Sequence, residues 1–144
     1  KLCDYSLHLY AARSYLDAQA PIRTREDLRG HRFISYVDDL LFSKELQFLG
    51  ELYAPDAFAL RSTSVLAQHR AVQAGTGIAV LPAFVAEPDP LLARVLPAQA
   101  RFVRSFWMSM PAEAKSVARM KAVWDFLREV AQAQQPQLLL PPPD

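Results

Sequence analysis

The stretch from Phe58 to Pro82, reading FALRSTSVLAQHRAVQAGTGIAVLP, constrains the fold more than any other part of the chain. It reads as a short strand, Phe58 to Arg61, that leaves through Ser62-Thr63-Ser64 into a helix over Val65 to Ala74. Gly75 closes the helix, Thr76 and Gly77 turn the chain, and Ile78 to Leu81 form a second strand that Pro82 ends. An apolar run such as Ile-Ala-Val-Leu, with no polar alternation, fits a parallel strand covered on both faces. Strand-helix-strand units build open α/β sheets, whose ligands sit beyond the carboxyl ends of strands and at helix N-termini. Gly75-Thr76-Gly77 follows a helix and precedes a strand, the reverse of a phosphate cradle. Its glycines are read as a helix C-cap and a turn that needs positive φ.

The remainder of the chain falls into elements around this unit. Leu7 to Ala12 reads as a strand with no turn before it, as if the chain were entered mid-sheet. Ser14 is expected to cap a short helix, Tyr15 to Gln19, which Pro21 stops. Thr24 is expected to cap the next turn, with Asp27 accepting amides in the manner of a capping box. Arg29-Gly30-His31 turns into a strand over Arg32 to Val37, and His31 is read as a hydrogen-bonded turn residue rather than a base. Apolar spacing predicts a short helix within Asp38 to Gly50. Asp38 and Asp39 are adjacent, so they would point to opposite sides of an extended chain, and an N-cap role is read in preference to a carboxylate pair. In the central helix Leu66 and Val72 share a face, with His69 at its border and Gln68, Arg70 and Gln73 elsewhere.

Beyond Pro82, one helical turn within Ala83 to Pro90 precedes a strand over Ala93 to Leu96, and Arg101 to Met110 is extended. The last helix is expected over Val117 to Ala133 with Ser116 as its cap. Val117, Met120, Val123, Trp124, Leu127 and Val130 make a wide apolar stripe that needs a sheet to lie on. Exposed apolar surface of that size is a liability. The stripe is therefore expected to pack on a neighbouring copy or on the strands that connect the two lobes introduced below. The proline-rich tail after Gln134 is expected to be flexible and free of helix.

Composition excludes several functions. A net charge of +1, from 16 Lys and Arg against 15 Asp and Glu, supplies no clustered basic face for a phosphate backbone. Cys3 is the lone cysteine, so there is no internal disulfide, and no Cys/His cluster suggests zinc. No apolar run reaches the roughly 20 residues that span a bilayer, and no secretion leader is visible. The chain is read as soluble and cytoplasmic. With 51% hydrophobic residues it can bury a core, and its length suits one domain. There is no nucleophile elbow, Walker loop or H-E-x-x-H, so no catalytic residue, metal or cofactor is expected.

The order of four motifs resembles the effector-binding domain of LysR-type transcriptional regulators. These are Leu9-Tyr10-Ala11-Ala12-Arg13-Ser14-Tyr15-Leu16; Glu26-Asp27-Leu28-Arg29-Gly30-His31-Arg32-Phe33-Ile34; Ala74-Gly75-Thr76-Gly77-Ile78-Ala79-Val80-Leu81-Pro82; and Leu92-Ala93-Arg94-Val95-Leu96-Pro97, followed by a closing helix. The resemblance implies an α/β fold of the type-2 periplasmic-binding-protein kind, with one complete lobe and part of the other. Residues 1–13 would connect from lobe one, 14–101 would form lobe two, 102–135 the return strand and closing helix, and 136–144 the tail. It further implies that a helix-turn-helix, a linker helix and the start of lobe one lie outside this chain. The implied function is sensing a small-molecule effector between lobes, in a self-associating regulator that touches DNA only through that helix-turn-helix, with no membrane role.

Ser62, Thr63 and Ser64 carry the candidate site. Helix capping accounts for at least one hydroxyl. Hydroxyls and amides at a helix N-terminus can also hold a ligand's carboxylate, aided by the helix dipole. Thr63 and Ser64 match positions that line the effector cleft in the resembled family, and Tyr36 enters from the neighbouring strand. A periplasmic-type solute-binding protein shares the fold and stays open as an alternative. So does a prephenate-dehydratase-like enzyme, against which stands the lack of a clustered acid, base or nucleophile.

Overall fold

The computed structural model describes residues 1–37, 52–53, 55 and 58–141. The helix expected within Asp38 to Gly50, and the capping role of Asp38 and Asp39, lie outside the described residues. Among them six strands form one mixed sheet. They are β1 (Cys3–Ala12), β2 (Phe33–Ser35), β3 (Phe58–Arg61), β4 (Ile78–Pro82), β5 (Leu92–Val95) and β6 (Arg101–Phe106). The order is β3-β2-β4-β1-β5, with β6 also paired to β1. The helices are α1 (Arg13–Asp17), α2 (Val65–Gln73), α3 (Ala83–Ala86), α4 (Ala118–Ala133) and α5 (Gln135–Leu138).

β2 runs parallel to both β3 and β4, so the β3-α2-β4 unit crosses over β2 rather than pairing with itself. β4 is buried at all of its positions, as an uninterrupted apolar strand requires. On its other side lies β1, antiparallel, with Leu7 opposite Pro82 and Tyr10 opposite Ala79. β1 is the long spine: its first half pairs with β6 and its second with β5. Leu7, Leu9, Leu28, Phe33, Ile34, Val72, Ile78 and Leu81 are almost fully buried around it and form the core.

Several local expectations are corrected. The first strand starts at Cys3, not Leu7, because Cys3 to Ser6 pair with Phe106 to Val103 of β6. α1 begins at Arg13, and Ala12 occupies the N-cap without a side-chain bond, so Ser14 lies inside the helix. Asp27 Oδ2 does accept the amides of Arg23 and Thr24, both at 2.9 Å, but Thr24 caps nothing with its own side chain. Gly75 takes φ +70° at the end of α2, as a C-cap should. Gly77 has another reason: a Cβ there would lie 2.4 Å from the Arg32 carbonyl oxygen, which accepts the Ile78 amide at 2.8 Å. Close passage of two backbones, rather than positive φ, demands that glycine.

In α2 the buried face is Gln68 and Val72, while Leu66 stays 64% exposed. α4 starts at Ala118 behind Val117, and Ser116 gives no cap bond. Its stripe does not lie mainly on β1 or β6. Met120, Val123, Phe126, Leu127 and Val130 remain 38–62% exposed, and the helix meets chiefly the preceding turn and α5. The tail also differs from expectation. Pro136 sits at the start of α5, where its missing N–H costs nothing, so the segment is helical and returns to β1.

Candidate functional site

Three parallel strands end at one edge of the sheet: β2 at Ser35, β3 at Arg61 and β4 at Pro82. That edge is where an open α/β sheet presents its connecting loops to ligands. Ser62 to Ser64 form the link from β3 into α2. The Ser62 amide donates to the Ser35 carbonyl at 2.9 Å, which sets Tyr36, just past the end of β2 and not within a strand reaching Val37, beside the link.

Each hydroxyl has a definable state. Ser64 is the N-cap, its Oγ accepting the Ala67 amide at 3.4 Å. Ser62 Oγ accepts the Ser64 amide at 3.1 Å. Thr63 stands exposed between them. The first-turn amides of Val65 and Leu66 have no acceptor within the helix, as at any helix start. The loop therefore offers an exposed hydroxyl, outward amides and the positive end of a helix dipole, a combination suited to an anion.

Gln68 was not visible as part of this arrangement from sequence. It is 1% exposed, and its Nε2 donates to the Ser62 carbonyl at 2.8 Å, which clamps the link onto the first turn of α2. Its position four residues beyond Ser64 and four before Val72 was the available signal, since a residue on that face must be buried. Tyr36 is half-buried, and burial raises its phenol above the ordinary range, with Tyr5 adding a smaller push in the same direction. It stays a neutral donor. Tyr5, on the spine strand, stacks on Phe106 of β6 at 4.3 Å and meets Phe84 edge-on at 6.0 Å. Tyr5 of β1, Phe106 of β6 and Phe84 of α3 thus form an aromatic cluster.

Other candidates resolve as structural. His31 Nδ1 lies 3.1 Å from the Tyr15 hydroxyl, which also accepts the Arg32 amide, so the histidine is a hydrogen-bonded turn residue. His69 Nε2 lies 3.0 Å from Asp89 Oδ2, a partner supplied by the loop after α3. Among the described residues no group of three metal-ligating side chains occurs, and no helix is long and apolar enough to cross a membrane.

A cavity of about 510 Å³ lies elsewhere, between the end of α1 and the end of β5, with Leu16, Ile22, Arg23, Leu96 and Pro97 among its walls. Neither Tyr36 nor Ser62 to Ser64 lines it. Asp17, Arg23, Arg94 and Gln99 give it polar walls, whereas the strand-end edge combines a helix dipole, amides and a hydroxyl.

Comparison with known proteins adds an independent finding. The family model described as "LysR substrate binding domain" matches residues 1–132. A search of curated protein sequences gave no match. Among solved structures, the chain is similar to the regulatory domain of CrgA, a LysR-type transcriptional regulator from Neisseria meningitidis. That match has a TM-score of 0.64 and 20% identity, covering 89% of this chain and 66% of that one. It is also similar to full-length AphB, a virulence activator of Vibrio cholerae, at TM-score 0.71 and 16% identity, covering 91% of this chain and 46% of that one. The effector domain of AmpR from Pseudomonas aeruginosa matches at TM-score 0.59 and 17% identity, with 93% and 65% covered. This chain spans about two thirds of the regulatory domains and under half of the full-length regulator.

Proposed function

The chain belongs to the LysR substrate-binding domain family, with the periplasmic-binding-protein-like fold of its structural neighbours, and from that premise we propose that it senses a small anionic metabolite at the edge formed by Tyr36 and Ser62 to Ser64. In this reading residues 14–101 are the second lobe, β1 and β6 link it to the first, and the metabolite lies between them. Thr63 supplies a hydroxyl, Ser64 and the amides after it supply the dipole end of α2, and Tyr36 supplies a neutral donor. Ser62, clamped by Gln68, fixes the loop. Gly75, Gly77 and Pro82 shape the backbone around it. Binding changes the relation of the lobes and makes or breaks no bond.

The observation that carries this reading is the exposure of Thr63 at a preformed helix start, on the edge where three parallel strands end. The regulator acts in the cytoplasm as a homodimer or larger oligomer, with DNA bound by a helix-turn-helix outside this chain. A thermal-shift series with aromatic acids, amino acids and small aliphatic carboxylates tests the site. One class is expected to stabilise the chain, and Thr63→Val, a change at an exposed position, is expected to abolish that shift. A shift untouched by the substitution, or none with any class, counts against the site.

A further inference from the structure

Along one face of β1, every second residue is polar: Asp4, Ser6, His8 and Tyr10. Ser6, His8 and Tyr10 are buried, and each position of the row but one is partnered. Asp4 accepts from Ser105 of β6. Ser6 Oγ accepts the Leu140 amide at 3.1 Å. Tyr10 donates to Glu87 Oε1 at 3.1 Å, and Glu87 also takes Arg94 Nε at 3.0 Å. His8 is 0% exposed, yet neither of its ring nitrogens has a hydrogen-bond partner.

The segment after α4 lies against the start of this row, and α3 packs on β1 as well. α5 and the residues to Leu140 return across β1. Gln135 Nε2 donates to the Asp4 carbonyl at 3.4 Å, Leu140 donates to Ser6, and the Leu140 carbonyl accepts Arg101 Nη2 at 3.0 Å. Leu138 to Leu140 are themselves only half-buried. The strap is thus lightly held, tied through the Gln135 side chain and the Leu140 backbone to β1 and β6. It lies beyond residue 132, where the family match ends.

We propose that Gln135 to Leu140 form a proton-released latch, closed against the polar row of β1 while His8 is neutral and opened when His8 takes up a proton. The charges around His8 set the direction. Arg101 stands directly opposite it on β6, and Arg94 stands opposite Tyr10 on β5. Glu87 is the acid nearby, already engaged by Tyr10 and Arg94, while Leu81 of β4 and the strap bring no titratable side chain. An imidazolium here would be a further positive charge without an acceptor. Burial lowers the ring to about 4, with Arg94 and then Arg101 adding to the shift and Glu87 opposing it. In the proposed open state water reaches the ring, whose ordinary value is 6.5. Stability of the closed latch is therefore complete above pH 6.5 and falls as pH drops toward 4. Linkage gives about a 10-fold rise in the opening equilibrium between pH 7.5 and pH 5.5.

Amide exchange at Leu140, corrected for the intrinsic pH dependence of exchange, reads the latch directly. Its protection is expected to fall about 10-fold from pH 7.5 to pH 5.5 and to stay well below that of the Leu9 and Ile34 amides at both pH values, and the fall is expected to vanish in His8→Gln. Unchanged protection at Leu140, protection at Leu140 equal to that of the Leu9 and Ile34 amides, or a fall that persists in His8→Gln overturns the proposal. If His8→Gln does not fold, Ser6→Ala replaces it. Loss of the Leu140 tether must raise the midpoint of the His8 ring titration in NMR, and an unmoved midpoint refutes the latch. The latch is independent of metabolite binding at Thr63, so either can fail alone.

Discussion

Helices α2 and α4 are both amphipathic by sequence, yet α2 buries Gln68 and Val72 against the sheet whereas α4 buries Ala131 alone. α2 is held between β3 and β4, so short connections press its inner face onto strands that its own neighbours build. α4 hangs after Pro111 and a 3-10 turn over 112–116, and its main contacts are with that turn and α5 rather than with the sheet. The period of apolar residues therefore states that a face exists. What covers the face depends on connections.

The largest test of this contrast compares two phenylalanines. Phe33, fully buried on β2, is expected to lose about 3–5 kcal/mol of stability on replacement by alanine. Phe126 on α4 is 62% exposed, and Phe126→Ala is expected to change stability by no more than about 0.5 kcal/mol. Urea denaturation measures both. A loss above about 2 kcal/mol at Phe126 would mean that the stripe is covered, and the contrast would break.

Next in size is the response to acid. The unfolded chain protonates His8 near 6.5 and the folded chain near 4, so the unfolded state binds more protons in between. Stability is then expected to drop by about 3 kcal/mol from pH 6.5 to pH 4, and His8→Gln is expected to remove that part of the loss. Denaturation midpoints of the two proteins at pH 7.5 and 4.5 give the comparison, with an equal loss in both as the contrary outcome.

Backbone approach gives a smaller effect. Gly77→Ala forces a Cβ against the Arg32 carbonyl and is expected to cost about 1–3 kcal/mol. A neutral result would show that β4 can move away from the chain entering β2. Ser64→Ala removes the cap of α2 at a predicted cost of about 1 kcal/mol, readable as a lower melting temperature. The same cap deletion has no counterpart at α4, whose N-cap Val117 makes no side-chain bond.

These cases also show what was legible in the residues. β3, α2 and β4 were readable to within one residue because local signals agree there: a small polar exit, a 3.6-residue period, Gly75 and an apolar run. The role of Gly77 was not readable, since it depends on Arg32, distant in sequence. The α5 strap was missed for a similar reason. Its prolines argue against a helix interior, but Pro136 lies in the first turn, and the bonds that hold the segment reach back to Asp4, Ser6 and Arg101. At the site, Ser62 to Ser64 announced themselves by type and position, whereas Gln68 and Tyr5 enter only through partners brought in by folding.

An amide NMR titration of the chain with benzoate, alanine and succinate tests the central claim most directly. The account predicts that one of them shifts the amides of Thr63 to Leu66 progressively to saturation. Saturating shifts confined to Leu16, Ile22 and Leu96, around the 510 Å³ cavity, with Thr63 to Leu66 unmoved, would contradict it.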